Sequence, residues 1–239
     1  MDALILVGAN CAILLVLGGL LGIFNPKRFS ARWLFAAAIL LLINDAMLTR
    51  LYRLVPNFIP GAEWNWEGKL MALAASIMIA SLGVFGWRRS GLTFRQLPGS
   101  LGPALVVLGL YVAFFVGLGV VFGGEEGSAE TIAFQLTMPG LEEEIFFRGI
   151  FLLALNEAFR GRVRFLGIRW GWGALLSSFL FGLGHALSYS AGEGFLLDPV
   201  TLALAAVPSF LAVWLRERTG SIVMPILAHN AGNSISLLI

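Results

Sequence analysis

Eight separate stretches of this chain, of 16 to 29 residues, are apolar over about the length that crosses a bilayer core. They fall at residues 3–24, 33–49, 70–87, 101–122, 131–159, 171–189, 200–215 and 222–239. Little architectural choice remains. In hydrocarbon each backbone N–H and C=O has to be satisfied inside the protein, which leaves helices and closed barrels, and uninterrupted runs of this length select helices. The expected fold is therefore all-α, a polytopic membrane helix bundle of about eight transmembrane helices. Only 13% of the 239 residues are charged, against about 25% in soluble domains, which supports the same class. The fifth stretch contains Pro139-Gly140, where a helix kinks or restarts, so its spanning part is expected to begin near Leu141. Two longer loops, 51–69 and 88–100, break the pattern, and Trp64 and Trp66 in the first suit an interfacial aromatic belt. No internal repeat is visible, and one integrated membrane domain is expected.

The cations set an orientation. If the loops alternate sides, one side holds Lys27, Arg28, Arg32, Arg88, Arg89, Arg95, Arg160, Arg162, Arg164, Arg169, Arg216 and Arg218, and the other holds Arg50, Arg53 and Lys69. Twelve against three puts the first group in the cytoplasm. Both termini, and the acidic loop with Glu125, Glu126 and Glu130, then face away from it, in a multi-pass protein of the cell's inner (plasma) membrane. The N-terminus has no cation before Lys27 and lacks the basic region of a signal peptide, so the first helix is read as retained. A net charge of +2 gives no basic surface for nucleic acid, and the single Cys11 allows no disulfide within the chain and no thiolate metal site.

Against this apolar background the run Leu141–Phe151, LEEEIFFRGIF, is anomalous. It carries Glu142, Glu143, Glu144 and Arg148, and a charge at the bilayer centre costs at least about 2.5–3.5 kcal/mol. Such groups persist where they are paired, face a wet cavity or do chemistry. Glu144 and Arg148 are four apart and share a helix face, so they are expected to pair as supporting structure. Glu143 is rotated by roughly 100° and has no such partner in its own helix, which leaves it free to act as a general base.

The only two histidines lie in the apolar C-terminal half. His185 ends FLFGLGH with Phe181 four residues before it, and His229 opens HNAGN with Asn233 four residues after it, each pair on one helix face. Taken singly, each has an ordinary explanation. A lone histidine on an apolar helix is more often a hydrogen-bonded core residue, and an isolated Asn more often an interhelical hydrogen bond worth about 0.6 kcal/mol. Asn44-Asp45 pairs with a neighbour or caps its helix, Asn10, Gln135 and Asn156 read as structural, and Gly182, Gly184 and Gly232 allow close helix approach or leave room for a substrate backbone. Taken together, the ordinary explanations leave both histidines and four charges buried without purpose. A carboxylate, two imidazoles and a carboxamide suit hydrolysis: Glu143 takes a proton from water, His185 orients that water, and His229 with Asn233 donates to the oxyanion. Two histidines and a carboxylate also suit a zinc site with an open position, although HExxH is absent. No serine or cysteine sits in a nucleophile arrangement, so activated water is the economical choice.

Glu143-Glu144-xxx-Arg148, Phe181-xxx-His185 and His229-xxx-Asn233, in this order and each in an apolar helix, resemble the three motifs of the CPBP intramembrane proteases. That family includes CAAX prenyl endopeptidases and bacteriocin-processing proteins and is also called the abortive-infection family. The resemblance covers roughly residues 131–239 and leaves 1–130, the first four helices, without a motif. It implies a glutamate-dependent protease with no metal cofactor favoured: Glu143 as base, His185 assisting, His229 and Asn233 as oxyanion donors, and Glu144 with Arg148 in support. Glu142 extends the acids to three, and Arg148 fixes which two match.

With the cytoplasm on the arginine-rich side, Glu143 falls in the outer half of its span, His185 near an outer helix end and His229 about midway. The expected substrate is thus a membrane-anchored, lipid-modified or exported peptide or protein cut near the outer face, as in sortase-like C-terminal processing. A CAAX prenyl endopeptidase would open to the cytoplasm instead. The non-catalytic alternatives are an immunity protein, a membrane scaffold or a small transporter, and the last would show an inverted repeat with paired broken helices. Side chains of Glu143, His185, His229 and Asn233 lining one cavity, about 3–7 Å apart, would favour hydrolysis.

Overall fold

The computed structural model describes residues 2–54, 56, 59–124 and 126–239; Glu125 of the acidic loop lies outside them. In chain order the helices are α1 (Asp2–Phe24), α2 (Ala31–Thr49), α3 (Trp66–Ser81), α4 (Leu101–Phe122), α5 (Ala129–Gln135), α6 (Met138–Glu144), α7 (Leu152–Ala158), α8 (Trp172–Ala186), α9 (Pro199–Thr219) and α10 (Val223–Ser234). Each expected apolar stretch contributes a helix. Four of these, α1, α2, α4 and α9, have the length and hydropathy to cross a membrane by themselves.

The fifth stretch departs most from a plain span. α5 ends at Gln135, and α6 starts afresh with Pro139 in its first turn, where a proline's missing N–H has no helical partner to lose. From there the chain runs through a seven-residue π-helical segment, Ile145–Phe151, into α7. A π turn re-aims side chains relative to an α-helix and is frequent at functional sites; this one carries Arg148.

The all-α expectation needs one correction, because the chain also forms two antiparallel hairpins. β1 (Arg162–Phe165) pairs with β2 (Ile168–Gly171), and β3 (Leu187–Ser190) pairs with β4 (Gly194–Leu197). In the first, Leu166 and Gly167 both take positive φ, 50° and 79°, the backbone of a two-residue turn matched to strand twist. The second ends the expected helix 171–189 early, at Ala186, so His185 sits in the last turn of α8 beside a hairpin. Strands of four residues are too short for alternation to reveal.

α1, α2, α7 and α8 bury the main apolar core, with Leu14, Leu34, Ala37, Ile150, Phe151 and Leu155 at its centre. Helix spacing elsewhere is set by glycine. A Cβ on Gly182 would lie 2.7 Å from Ala206 Cβ and 2.9 Å from Leu202 O on α9, and one on Gly140 would lie 2.8 Å from Ile226 O on α10. Such close approach is how helices associate where the surroundings are as apolar as the side chains. By contrast only 6% of the apolar window of α4 is buried. It leans on α9 and α10 through Ala104 and turns Tyr111 and Phe115 toward the interior cavity.

Candidate active site

The three carboxylates are held by side chains from several elements. Glu144 Oε2 meets Arg148 Nε at 3.1 Å, the pair expected from the i, i+4 spacing. Glu142, read from the sequence only as an extension of the motif, accepts from Asn44 Nδ2 of α2 at 2.7 Å and from Lys69 Nζ of α3 at 2.7 Å. Lys69 also bonds Glu143 Oε1 at 2.6 Å. Two expectations are corrected here. Glu143 is not left free, and Lys69 is no loop charge but a buried partner in the first turns of α3, so the positive-inside count becomes twelve against two. The physical reason is charge balance: three buried carboxylates with one guanidinium leave an excess that apolar surroundings do not tolerate. That imbalance, with Lys69 standing at the edge of an apolar stretch, was the signal from which the residue could have been found.

Lys69 occupies only one oxygen of Glu143. Oε2 is buried and has no hydrogen-bond partner among the described residues; it faces His185 Nε2 at 3.9 Å and His229 Nε2 at 3.8 Å. Those separations exceed a direct hydrogen bond but suit one water bonded to several of these atoms at once. Both imidazoles have their orientation fixed through the other nitrogen. His185 Nδ1 donates to the Phe181 carbonyl at 2.8 Å, and His229 Nδ1 donates to Glu144 Oε1 at 2.7 Å. Glu144 thus positions His229 in addition to pairing with Arg148. The Phe181 ring organises the same groups, lying 4.6 Å from the His185 ring, 5.9 Å from the His229 ring and 4.3 Å from the Arg148 guanidinium carbon.

Glu143, Glu144, His185, His229 and Asn233 all line one cavity of about 590 Å³. Asn233 gives one amide hydrogen to Gln135 at 3.2 Å and keeps the second. The remaining wall is largely apolar, from Tyr111 and Phe115 of α4, Phe134 of α5 and Leu204 and Pro208 of α9. Pro208 has no N–H to return to the Leu204 carbonyl, so that backbone acceptor is released from the helix ladder beside the cavity. Ser209 Oγ, also on the wall, is buried without a partner.

The part of the wall at Trp64 and Phe134 is held by the 63–66 segment. Trp64 stacks on Phe134 at 4.9 Å and donates to Thr131, while Trp66 donates to Glu130. The two tryptophans expected in an interfacial belt pack on Phe134 of α5. Glu130 also accepts from the backbone N–H groups of Glu63 and Trp64. The Glu63 bond, followed by the Trp66 indole, holds its carboxyl below the usual range.

The Lys69 ammonium already places a positive charge against Glu143, which a metal ion on the same carboxylate would have to oppose. What the cluster does offer is a carboxylate oxygen with two imidazoles around one water-sized gap, and a carboxamide on the same cavity.

The family Type II CAAX prenyl endopeptidase Rce1-like matches residues 126–235, a segment that contains all three motifs. No curated protein and no solved structure matches the chain. The match covers 110 of the 239 residues, and the protease family it points to agrees with the CPBP resemblance of the motifs.

Proposed function

We propose that the chain is an intramembrane endopeptidase that hydrolyses a peptide bond of a membrane-anchored or exported substrate with water activated at Glu143. The observation that carries this reading is the unpartnered Glu143 Oε2, buried and facing both histidine Nε2 atoms at 3.8–3.9 Å. Because Nδ1–H of His185 is donated to Phe181, its Nε2 accepts from water and orients it. Glu143 takes the proton, the hydroxide adds to the scissile carbonyl carbon, and the carbonyl oxygen becomes an oxyanion. Asn233 donates its second amide hydrogen to that oxyanion. His229 Nε2 joins in the imidazolium form, since Nδ1–H is given to Glu144. Collapse breaks the C–N bond, the proton held by Glu143 passes to the leaving amine, and a carboxylic acid and an amine result. No step needs a metal.

On this reading residues 131–239 carry the chemistry, and residues 1–130 contribute Lys69 and Asn44, which hold the acids. The chain sits multi-pass in the inner membrane with both termini outside, and the cavity opens on the face opposite the arginines, toward Trp64 and Phe134. That supports substrates processed near the outer face. The second reading, cleavage of prenylated C-termini from the cytoplasm, is favoured by the description of the matching family. Membrane-impermeant labelling of a cysteine placed at Glu126 separates the two: labelling from outside supports the first, labelling only after permeabilisation the second. Catalysis itself is tested with Glu143→Gln, for which cleavage of a membrane-inserted reporter peptide should fall about 10²–10⁴-fold with membrane insertion unchanged. Undiminished cleavage would refute the role of Glu143.

A further inference from the structure

A second cavity, of about 560 Å³, lies on the arginine-rich side and is lined by Arg88, Arg89, Arg95, Arg148, Arg162 and Arg216, with Glu217 as its one carboxylate. Three of the six cations are matched: Arg148 by Glu144, Arg89 by Glu157 at 2.7 Å and Arg162 by Glu217 at 3.7 Å. Among the described residues, Arg88, Arg95 and Arg216 have no carboxylate within ion-pair distance. Arg216 is the most telling. It is only 9% exposed, its Nη2 donates to Arg89 O at 2.7 Å, and its Nε has no partner among the described residues. Gly91, at φ +74°, passes so close that any side chain there would collide with this guanidinium. Arg148, 2% exposed, likewise leaves Nη1 unpartnered. Two buried guanidinium groups on one cavity with unused donors are costly unless an anion completes them, and planar N–H pairs match phosphate oxygens best.

We propose that this cavity binds the phosphate of an acidic phospholipid headgroup. Its lining continues into Leu97, Pro98, Leu152 and Leu153, apolar surface where the glycerol and first acyl carbons would lie. The adjoining segment presents Trp87, Phe94 and Leu97 at 50%, 92% and 52% exposure, as a loop resting in a bilayer interface does. Basic pockets between helices at the cytoplasmic ends are where such headgroups bind, at about 1 kcal/mol per cation.

The test uses the purified full-length protein in neutral detergent, with affinity read from the rise in unfolding temperature on titration with phosphatidylglycerol, phosphatidylcholine or inorganic phosphate. Phosphatidylglycerol should stabilise and phosphatidylcholine should not. Arg88→Gln with Arg95→Gln, both exposed and outside the proposed catalytic set, should weaken the apparent affinity about 25-fold, or about fivefold per cation. Arg216→Gln should weaken it at least as much, and if that variant fails to fold, the double variant carries the test. Equal stabilisation by phosphatidylcholine, or an unchanged affinity in the double variant, would show an aqueous vestibule only. Stabilisation by inorganic phosphate matching that by phosphatidylglycerol would overturn the lipid as the source.

Discussion

Arg148 stands between two cavities whose polar groups are treated in opposite ways. On one side the carboxylates of α6 are held by Lys69, Asn44, His229 and Arg148 itself, each from a different element, and a single oxygen of Glu143 is left without a protein partner. On the other side, among the described residues, three arginines have no carboxylate and donors on Arg148 and Arg216 are unused. A site that does chemistry on a proton needs its charges fixed and one acceptor exposed, whereas a site that holds an anion needs its donors unspent. The difference between the two faces thus indicates what each can do, and it can be broken one residue at a time.

The largest effect is expected at Lys69. Replacing it with methionine keeps the volume and removes the cation shared by Glu142 and Glu143. Breaking a buried pair by deleting one partner costs about 3–5 kcal/mol, so thermal or denaturant unfolding in detergent should show a loss of that order, with loss of peptide cleavage. Adding Glu142→Gln removes one of the stranded charges and should restore part of the stability without restoring full activity. A Lys69→Met protein as stable as the parent would mean that the first cavity is not charge-balanced as described.

Arg148→Lys is the next test, since the residue serves both faces. Lysine keeps the charge but loses the planar contact with Phe181 and the donor toward the arginine cavity. Cleavage should fall about tenfold through the Glu144–His229 link, a loss of about 1.4 kcal/mol in transition-state stabilisation. Stability should change less than for Lys69→Met. Loss of stability without loss of cleavage would separate the two cavities and make Arg148 structural only.

The sequence disclosed these regions unequally, for physical reasons. Helices were legible because a continuous apolar run has one solution in a membrane, and the Glu144–Arg148 pair because it is local to one turn. The charge excess pointed to a cation such as Lys69 but did not assign it, and Asn44 gave no signal at all, since partners 73 and 98 residues away from Glu142 leave no periodic trace. The π segment was hidden as well, since nothing in IFFRGIF sets it apart from an α-helix. The hairpins, with strands of four residues, carry too little alternation to compete with the apolar signal around them.

The smallest expected effect lies at the mouth, outside the spans. The Glu130 carboxylate accepts from the backbone of Glu63 and Trp64 and from the Trp66 indole, and those donors hold its carboxyl below the ordinary carboxylate range. A carboxyl that is more acidic in the folded chain than in the unfolded one adds stability at neutral pH. That stability begins to fade as pH falls past the ordinary value of about 4.3 and is lost once the folded group itself is protonated. The clasp between the 63–66 segment and α5 should therefore loosen on acidification, and Glu130→Gln should imitate that state at neutral pH. Trp64 and Trp66 report it directly, since both rings pack on Phe134. Their fluorescence should shift to longer wavelength in the parent only once the pH falls below the ordinary carboxylate range, and at every pH in the variant, with global unfolding little changed because Glu130 is half-buried at the surface and outside the core. If the fluorescence of the parent were constant down to acid unfolding, the clasp would depend on Trp64–Phe134 stacking alone, and the carboxylate would have no part in shaping the entrance to the first cavity.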